Sequence, residues 1–388
     1  MKILMLTQQN IFDHKPNGGI QLAIANYKAI ISAAGKDNTF LCIVSNDKIT
    51  VSPNLNVVPR LTNRLVLAAL SPFGYKLHGP ITEKKILTYI KKINPDIIFF
   101  DGSLLGRISK KISKVLNKEQ YLFLHNIERD YALNKMKKES FVFLPSFLSS
   151  WISEGICIKN AKKVFCLNKR DSLRMEQVYH RTPTAIIPIS FTDNFEKLRV
   201  QPYNGKKNIL FIGSLFPPNY DGIKWFIENV MSELTDDFQL FIVGKNFEKK
   251  RDSLEKHNVK VIGGVDDLST YYYSFPLLVM PILYGDGMKV KTAEALMYGK
   301  AILGTKEAFE GYELESSYCI TCDTAQQFRD NIYNYFERND ISNFYNEVRA
   351  IFLRKYEASI VQRTLAEAIL DGTHIFGSEE YFLNELKQ

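Results

Sequence analysis

The sequence predicts an α/β protein of two doubly wound domains, each a parallel sheet flanked by helices. Three observations carry this. Short apolar segments alternate with helical ones along most of the chain, the pattern of parallel strands joined by right-handed crossovers. At 388 residues the chain is too long for one ordinary core. A polar stretch from Pro188 to Lys207, with Pro202, Asn204 and Gly205, interrupts the alternation near its middle and reads as a linker. The domains are therefore 1–190 and 191–370.

Composition narrows the class. A hydrophobic fraction of 45% and a charged fraction of 24% are those of a soluble globular protein. Lys2 leads straight into the short apolar run Ile3 to Leu6, which ends in polar Thr7-Gln8-Gln9 and is not read as a signal peptide. No stretch approaches the roughly 20 apolar residues that span a bilayer. Five scattered cysteines (Cys42, Cys157, Cys166, Cys319, Cys322) suit a reduced, cytoplasmic setting. Cys319 and Cys322 form a lone CxxC with no second pair, which reads as incidental, so no metal is expected. Charge is unevenly divided. Residues 1–200 carry 30 Lys and Arg against 15 Asp and Glu, whereas residues 201–388 carry 20 against 27. A strongly basic first half fits an anionic membrane surface or a phosphorylated substrate. Nucleic acid is not expected, since no helix-turn-helix, RNA-binding or zinc-finger pattern occurs.

In the first domain, Lys2 to Thr7 reads as a strand, Gln8 to Gly19 as a loop and Ile20 to Ala34 as a helix. Gly18 and Gly19 precede that helix, either as an anion site at its start or as a plain turn. Thr39 to Val44 and Leu55 to Val58 are strands. Arg60 to Pro80 is apolar with basic punctuation, either a loop plus helix or a packed helix. Thr82 to Ile93 is a helix that ends before Pro95, followed by a buried strand from Asp96 to Phe100. Ser103 to Leu116 is a helix with a basic face. The strand Tyr121 to Leu124 ends in His125, where open α/β sheets place ligand-binding groups. Lys135 to Lys163 mixes lysines with Phe143, Phe147 and Trp151. It is either a membrane-surface segment or a core helix with solvated lysines. Val164 to Leu167 and Ala185 to Ile187 are strands, joined by a helix from Lys169 to Tyr179.

The second domain opens with the strand Asn208 to Ile212, the turn Gly213-Ser214-Leu215 and a helix from about Asp221. Strands follow at Phe238 to Val243, Val259 to Ile262 and Leu277 to Met280. The second of these ends in the turn Gly263-Gly264-Val265. The most informative stretch is Met280 to Gly304. Gly285 and Gly287 bracket Asp286 in a tight turn. From Met288 the spacing is helical, Gly299 stops the helix, and Ala301 to Leu303 is a buried strand. A helix start after a strand's carboxyl end favours an anion. Lys289 and Lys291 add cations there, and Glu294 lies about 10 Å further along the helix axis. A diphosphate at the turn would bring ribose hydroxyls to Glu294, a carboxylate device shared with dinucleotide folds.

The pattern Gly285-Asp286-Gly287-Met288-Lys289-Val290-Lys291, continuing through Glu294 to Gly299-Lys300, resembles the donor-binding motif of family 4 glycosyltransferases, retaining enzymes of GT-B fold. Those enzymes usually carry two Glu residues eight apart; here Asp286 stands at the first position and Glu294 at the second. The resemblance implies the GT-B fold, two Rossmann-like domains facing across a cleft, with segment 371–388 packing back on the first. It implies a sugar moved from a nucleoside-diphosphate sugar to a hydroxyl of a glycan or lipid-linked acceptor, without a metal, as in bacterial surface polysaccharide synthesis. His125 would contact the donor sugar and support the transition state through its backbone. Lys289 and Lys291 would stabilise the departing diphosphate, while Asp286, Gly287 and Met288 hold sugar hydroxyls and Glu294 the ribose. Gly18 and Gly19 resemble the family's glycine-rich first loop. Gly213 and Ser214 resemble its phosphate turn, and Gly264 and Val265 the turn that meets the base. Many members place an Arg and a Lys at the positions held here by Ser214 and Asp221. Two alternatives stay open: a nucleotide-sugar epimerase of the same fold, and a non-catalytic partner subunit.

Overall fold

A computed structural model describes residues 1–13, 18–73, 75–139, 143–285 and 287–371. The chain forms two compact units. The first comprises Met1–Ser190 and the chain from Val361 onward; the second is Phe191–Ile360.

In the first unit, in chain order, come β1 (Ile3–Thr7), α1 (Gly18–Ala34), β2 (Thr39–Val44), β3 (Leu55–Val58), α2 (Arg64–Leu70) and α3 (Pro80–Ile93). Then follow β4 (Ile97–Asp101), α4 (Gly106–Lys111), β5 (Glu119–Leu124), α5 (Glu128–Glu139), α6 (Leu144–Asn160), β6 (Lys163–Cys166), α7 (Lys169–Tyr179) and β7 (Ala185–Ile186). The seven strands order as β3-β2-β1-β4-β5-β6-β7. Every pairing is parallel. β1, β2, β4 and β6 are buried at every residue, which is why they read as continuous apolar runs in sequence.

The second unit runs β8 (Lys207–Ile212), α8 (Pro217–Asn229), β9 (Phe238–Val243), α9 (Arg251–Leu254), β10 (Val259–Gly263), α10 (Ser269–Ser274) and β11 (Leu277–Met280). It continues with α11 (Val290–Met297), β12 (Ala301–Gly304), β13 (Cys319–Thr321), α12 (Ala325–Phe336) and α13 (Asn346–Lys355). Its sheet is also parallel, in the order β10-β9-β8-β11-β12-β13. The chain then enters α14 (Ala358–Asp371), and from Val361 it belongs to the first unit. There Lys163 Nζ donates to the carbonyls of Ala368 and Ile369 at 2.9 and 2.8 Å. The expected final segment, 371–388, lies outside the described residues save for Asp371.

Several element starts differ from the sequence reading. α1 begins at Gly18, so Gly18 and Gly19 form its first turn instead of preceding it. A Cβ on Gly18 would meet nothing within 4 Å, so no close approach demands glycine there. α8 begins at Pro217, because two prolines suit first-turn positions whose N–H groups have no helical acceptor. α11 begins at Val290, since Lys289 is still extended. Helix α4 passes into a single π turn at Ile112–Leu116. All five cysteines are free. Among the described residues no helix is long and apolar enough to cross a membrane, and no cluster of acidic, His and Cys side chains could hold a metal.

Candidate functional site

In the second unit the strand-end loops of β8, β9, β10 and β11 converge. Their closeness depends on glycine at two positions. A Cβ on Gly244, whose φ is +150°, would lie 1.9 Å from the Gly213 carbonyl oxygen. A Cβ on Gly222 would lie 1.8 Å from the Pro281 carbonyl, so α8 packs directly on the loop after β11. Lys291, in the first turn of α11, reaches back to this turn. Its Nζ donates to Asn219 Oδ1 at 2.5 Å and lies 5.1 Å from the Phe211 ring centroid. It also lies 3.0 Å from where a Gly213 Cβ would stand. Asn219 in turn donates to the Ser214 carbonyl at 2.8 Å. Gly213, Ser214, Asn219 and Lys291 thus form one cluster.

Lys291 has no carboxylate within ion-pairing distance among the described residues. Burial pulls its amine down to about 7; Glu294 opposes this and the charge of Lys289 adds to it. Glu294 lies one turn further along α11, where it accepts from Tyr272 Oη at 3.1 Å. Burial raises the Glu294 carboxyl above its ordinary range, against the opposing pull of Tyr272 and Lys291. Tyr272 is itself locked, its ring stacked on Tyr298 at 4.5 Å and 5°.

Lys289 is differently placed. Its Nζ donates to Glu307 Oε1 at 2.6 Å and to the Gly287 carbonyl at 2.7 Å, with Glu310 at 3.6 Å. Its own carbonyl accepts from Tyr312 Oη at 2.8 Å. Lys289 therefore braces the loop in which Gly287 adopts φ +71°, a conformation glycine favours. Met288 packs on the core, as does Val265. Asp286 lies outside the described residues. The amide of Gly264 is already committed, donating to Glu248 Oε2 at 3.1 Å.

In the first unit, His125 follows β5, and its Nε2 lies 2.7 Å from Asp101 Oδ1 at the end of β4. The Asp101 carboxylate is buried and also accepts from Thr7 Oγ1 at 2.6 Å and Asn26 Nδ2 at 2.8 Å. Burial alone would pull His125 toward neutrality. The charge and hydrogen bond of Asp101 outweigh it, so the imidazole is held protonated above its ordinary range. Asp101 is correspondingly held ionised below its ordinary range, against its own desolvation. Gly18 and Gly19 begin α1, the helix that supplies Asn26.

The structure thus brings Gly213, Ser214, Lys291 and Glu294 together, and places Lys289 on the neighbouring loop. Sequence reasoning missed Asn219, Tyr272, Glu248 and Asp101. Only Asp101 had a legible signal, an acidic residue closing an otherwise apolar strand.

Two parallel-sheet units with their polar groups at strand ends define the class. Residues 206–338 match the family model of glycosyl transferases group 1. HepE of Anabaena, solved in complex with UDP, is 14% identical over 95% of this chain and 99% of that one, with a TM-score of 0.65. The lipopolysaccharide outer core galactosyltransferase WaaB is 13% identical over 95% and 99%, TM-score 0.63. A glycosyltransferase from Rickettsia africae is 14% identical over 96% and 99%, TM-score 0.62. At such identities these neighbours establish the fold, which is GT-B. No curated protein sequence matches the chain. The second unit carries a glycosyl transferases group 1 domain, and the protein is a glycosyltransferase.

Proposed function

We propose that this enzyme is a retaining transferase of family 4 type. It moves a sugar from a nucleoside-diphosphate sugar to a hydroxyl of a glycan or lipid-linked oligosaccharide in bacterial surface polysaccharide synthesis. The observation that carries the reading is Lys291, aimed at the Gly213 turn without a carboxylate partner, with Glu294 one turn beyond. A diphosphate bound at that turn meets a cation that no resident acid neutralises, and ribose hydroxyls reach a carboxylate already oriented by Tyr272. As the sugar leaves, charge builds on the diphosphate, and Lys291 stabilises it where water is excluded. Asp286 and the backbone of Gly287 and Met288 hold the sugar hydroxyls, on a loop that Lys289 braces. Gly264 and Val265 border the base. His125, kept cationic by Asp101, supports the sugar from the first unit, whose glycine-rich helix start at Gly18 and Gly19 serves the acceptor side. Lysine and backbone dipoles supply the positive charge, so we propose that no metal is needed. The basic first unit suits a location in the cytoplasm, peripheral on the inner membrane face.

UDP is the first nucleotide to test, because HepE is described in complex with UDP and with UDP-glucose. The test is a thermal-shift titration with UDP, GDP, ADP and CMP without added metal, on the wild type and Glu294→Ala. A nucleotide at a hundred times its dissociation constant should add about 2.7 kcal/mol of stability. One nucleotide that shifts the wild type and fails on the variant supports the site. No shift with any nucleotide would sink the donor reading. Turnover of the donor with no acceptor present would instead point to an epimerase.

A further inference from the structure

The first unit holds a cavity of about 480 Å³ whose charge is unbalanced. Its walls include Arg60, Lys76, Lys135 and Glu128, with Tyr131 and Phe143 as aromatic faces. Several other cations in this unit have resident acids: Arg107 and Lys111 share Glu83, Arg174 meets Asp130, and Lys162 meets Glu119. In the cavity none of the three cations reaches a carboxylate within ion-pairing distance, among the described residues. Lys76 Nζ is held instead by the carbonyl of Ser146, at 2.8 Å, and by its hydroxyl. Lys135 sits 5.0 Å from the Phe143 ring centroid. Glu128 is the one acid, and its charge is felt by both Lys76 and His125, so the cavity opens beside the His125 site of the same unit.

Three cations around one acid leave an excess of two positive charges, with Lys76 half-buried and Arg60 and Lys135 exposed at the rim. Three cations that face one acid are better satisfied when an anion joins them, most of all at the half-buried Lys76. Burial lowers the Lys76 amine to about 8, and Lys135 adds to the effect while Glu128 opposes it. The volume is in the range of small-molecule sites and admits a sugar ring with a charged substituent. Glu128 and the side chain of Gln8, whose Nε2 has no partner, are left to meet neutral hydroxyls.

We propose that this cavity binds the acceptor and selects one that carries an anionic group, a phosphate or a carboxylate, which Lys76, Lys135 and Arg60 hold while Glu128 orients a hydroxyl. This deepens the transferase reading and rests on it.

The test is amine acylation of the full-length protein in saturating UDP, with each lysine read by peptide mass spectrometry. Pyrophosphate, glucuronate and glucose are added in separate arms. A further arm uses phosphatidylcholine vesicles with a third of phosphatidylglycerol. Either soluble anion should protect Lys76 and Lys135 about tenfold at ten times its dissociation constant. Glucose should not, and exposed Lys84 should not change. The arm that protects tells phosphate from carboxylate. Arg60→Gln should weaken that protection while leaving the protection of Lys291 by UDP intact. No protection by either soluble anion overturns the proposal, as does protection by vesicles alone, which would make the surface a membrane contact. UDP that fails to protect Lys291 removes the donor reading separately, because the two sites report on different lysines.

Discussion

Nucleotide affinity should fall as pH rises above 7, and Lys291 sets the slope. Burial holds its free amine near 7, far below the ordinary lysine value, with only partial relief from Glu294. A diphosphate at the Gly213 turn restores the charged form, so binding takes up a proton. Well below pH 7 the amine is already protonated and affinity is flat with respect to this group. Above pH 7 each binding event must first protonate Lys291, and the dissociation constant climbs toward tenfold per pH unit. Between pH 7.0 and 8.5 the rise is roughly fifteenfold, about 1.6 kcal/mol. The terminal ionisation of a nucleoside diphosphate lies below this window, as phosphate second pKa values near 6 indicate, and does not contribute. Titration calorimetry with UDP in two buffers of different ionisation enthalpy measures both the affinity and the proton uptake, which should approach one proton near pH 8. Lys291→Gln should bind more weakly at pH 7 and lose the pH dependence. A wild-type affinity that is flat from pH 7.0 to 8.5, with no proton uptake, refutes the assignment of Lys291 to the diphosphate.

Three further substitutions have outcomes set by the geometry. Gly213→Ala places a Cβ 2.9 Å from Asn219 Nδ2 and 3.0 Å from Lys291 Nζ, both movable side-chain ends, so stability should change by under about 1 kcal/mol while UDP binding weakens by about tenfold or more. Gly244→Ala instead meets the Gly213 carbonyl at 1.9 Å with φ +150°, and thermal unfolding should show a loss of about 2–4 kcal/mol. Asp101→Asn removes the counterion of His125. The pKa read from the histidine proton chemical shift should then fall, since burial is opposed only by the charge of Glu128, and stability at pH 6 should drop by about 3 kcal/mol. In the wild type the His125 contribution is fully present below its unfolded pKa of about 6.5 and is lost as pH rises through its raised folded value.

The architecture was legible because parallel strands are buried on both faces. Ile3–Thr7, Thr39–Val44 and Ile97–Asp101 announce themselves as short apolar runs without needing their neighbours. Helix starts were less so. The sequence reading starts the helix at about Asp221, after Pro217 and Pro218, yet a proline pair also suits the first helical turn, and sequence alone does not separate the two. Lys291 and Glu294 were legible because one helix carries both at fixed spacing. Their partners were not. Asn219 is 72 residues from Lys291 and Tyr272 is 22 from Glu294, and only the packing of α8 and α10 against α11 brings them close. Asp101 and His125 meet because β4 and β5 are paired in register and end together, a relation between strands that no local pattern encodes.

In the proposed donor site, what separates a cation open to a ligand from a structural one is its resident counterion. Lys289 and Lys291 are two residues apart and equivalent in a motif. In the fold, Lys289 meets Glu307 and Glu310, whereas Lys291 meets the neutral amide of Asn219 and the Phe211 ring and, among the described residues, no carboxylate. An ion pair already satisfied gains little from a diphosphate, because the new anion must displace the old one. An unpaired, partly desolvated ammonium gains the full interaction, and its lowered pKa measures how unfavourable its isolation is before the ligand arrives. Lys76 follows the same rule in the first unit, held by Ser146 and no carboxylate. His125 is the converse case, an imidazole kept charged by the carboxylate of Asp101. The chain therefore carries two kinds of cation: those that await an anion, and those whose anion is built in.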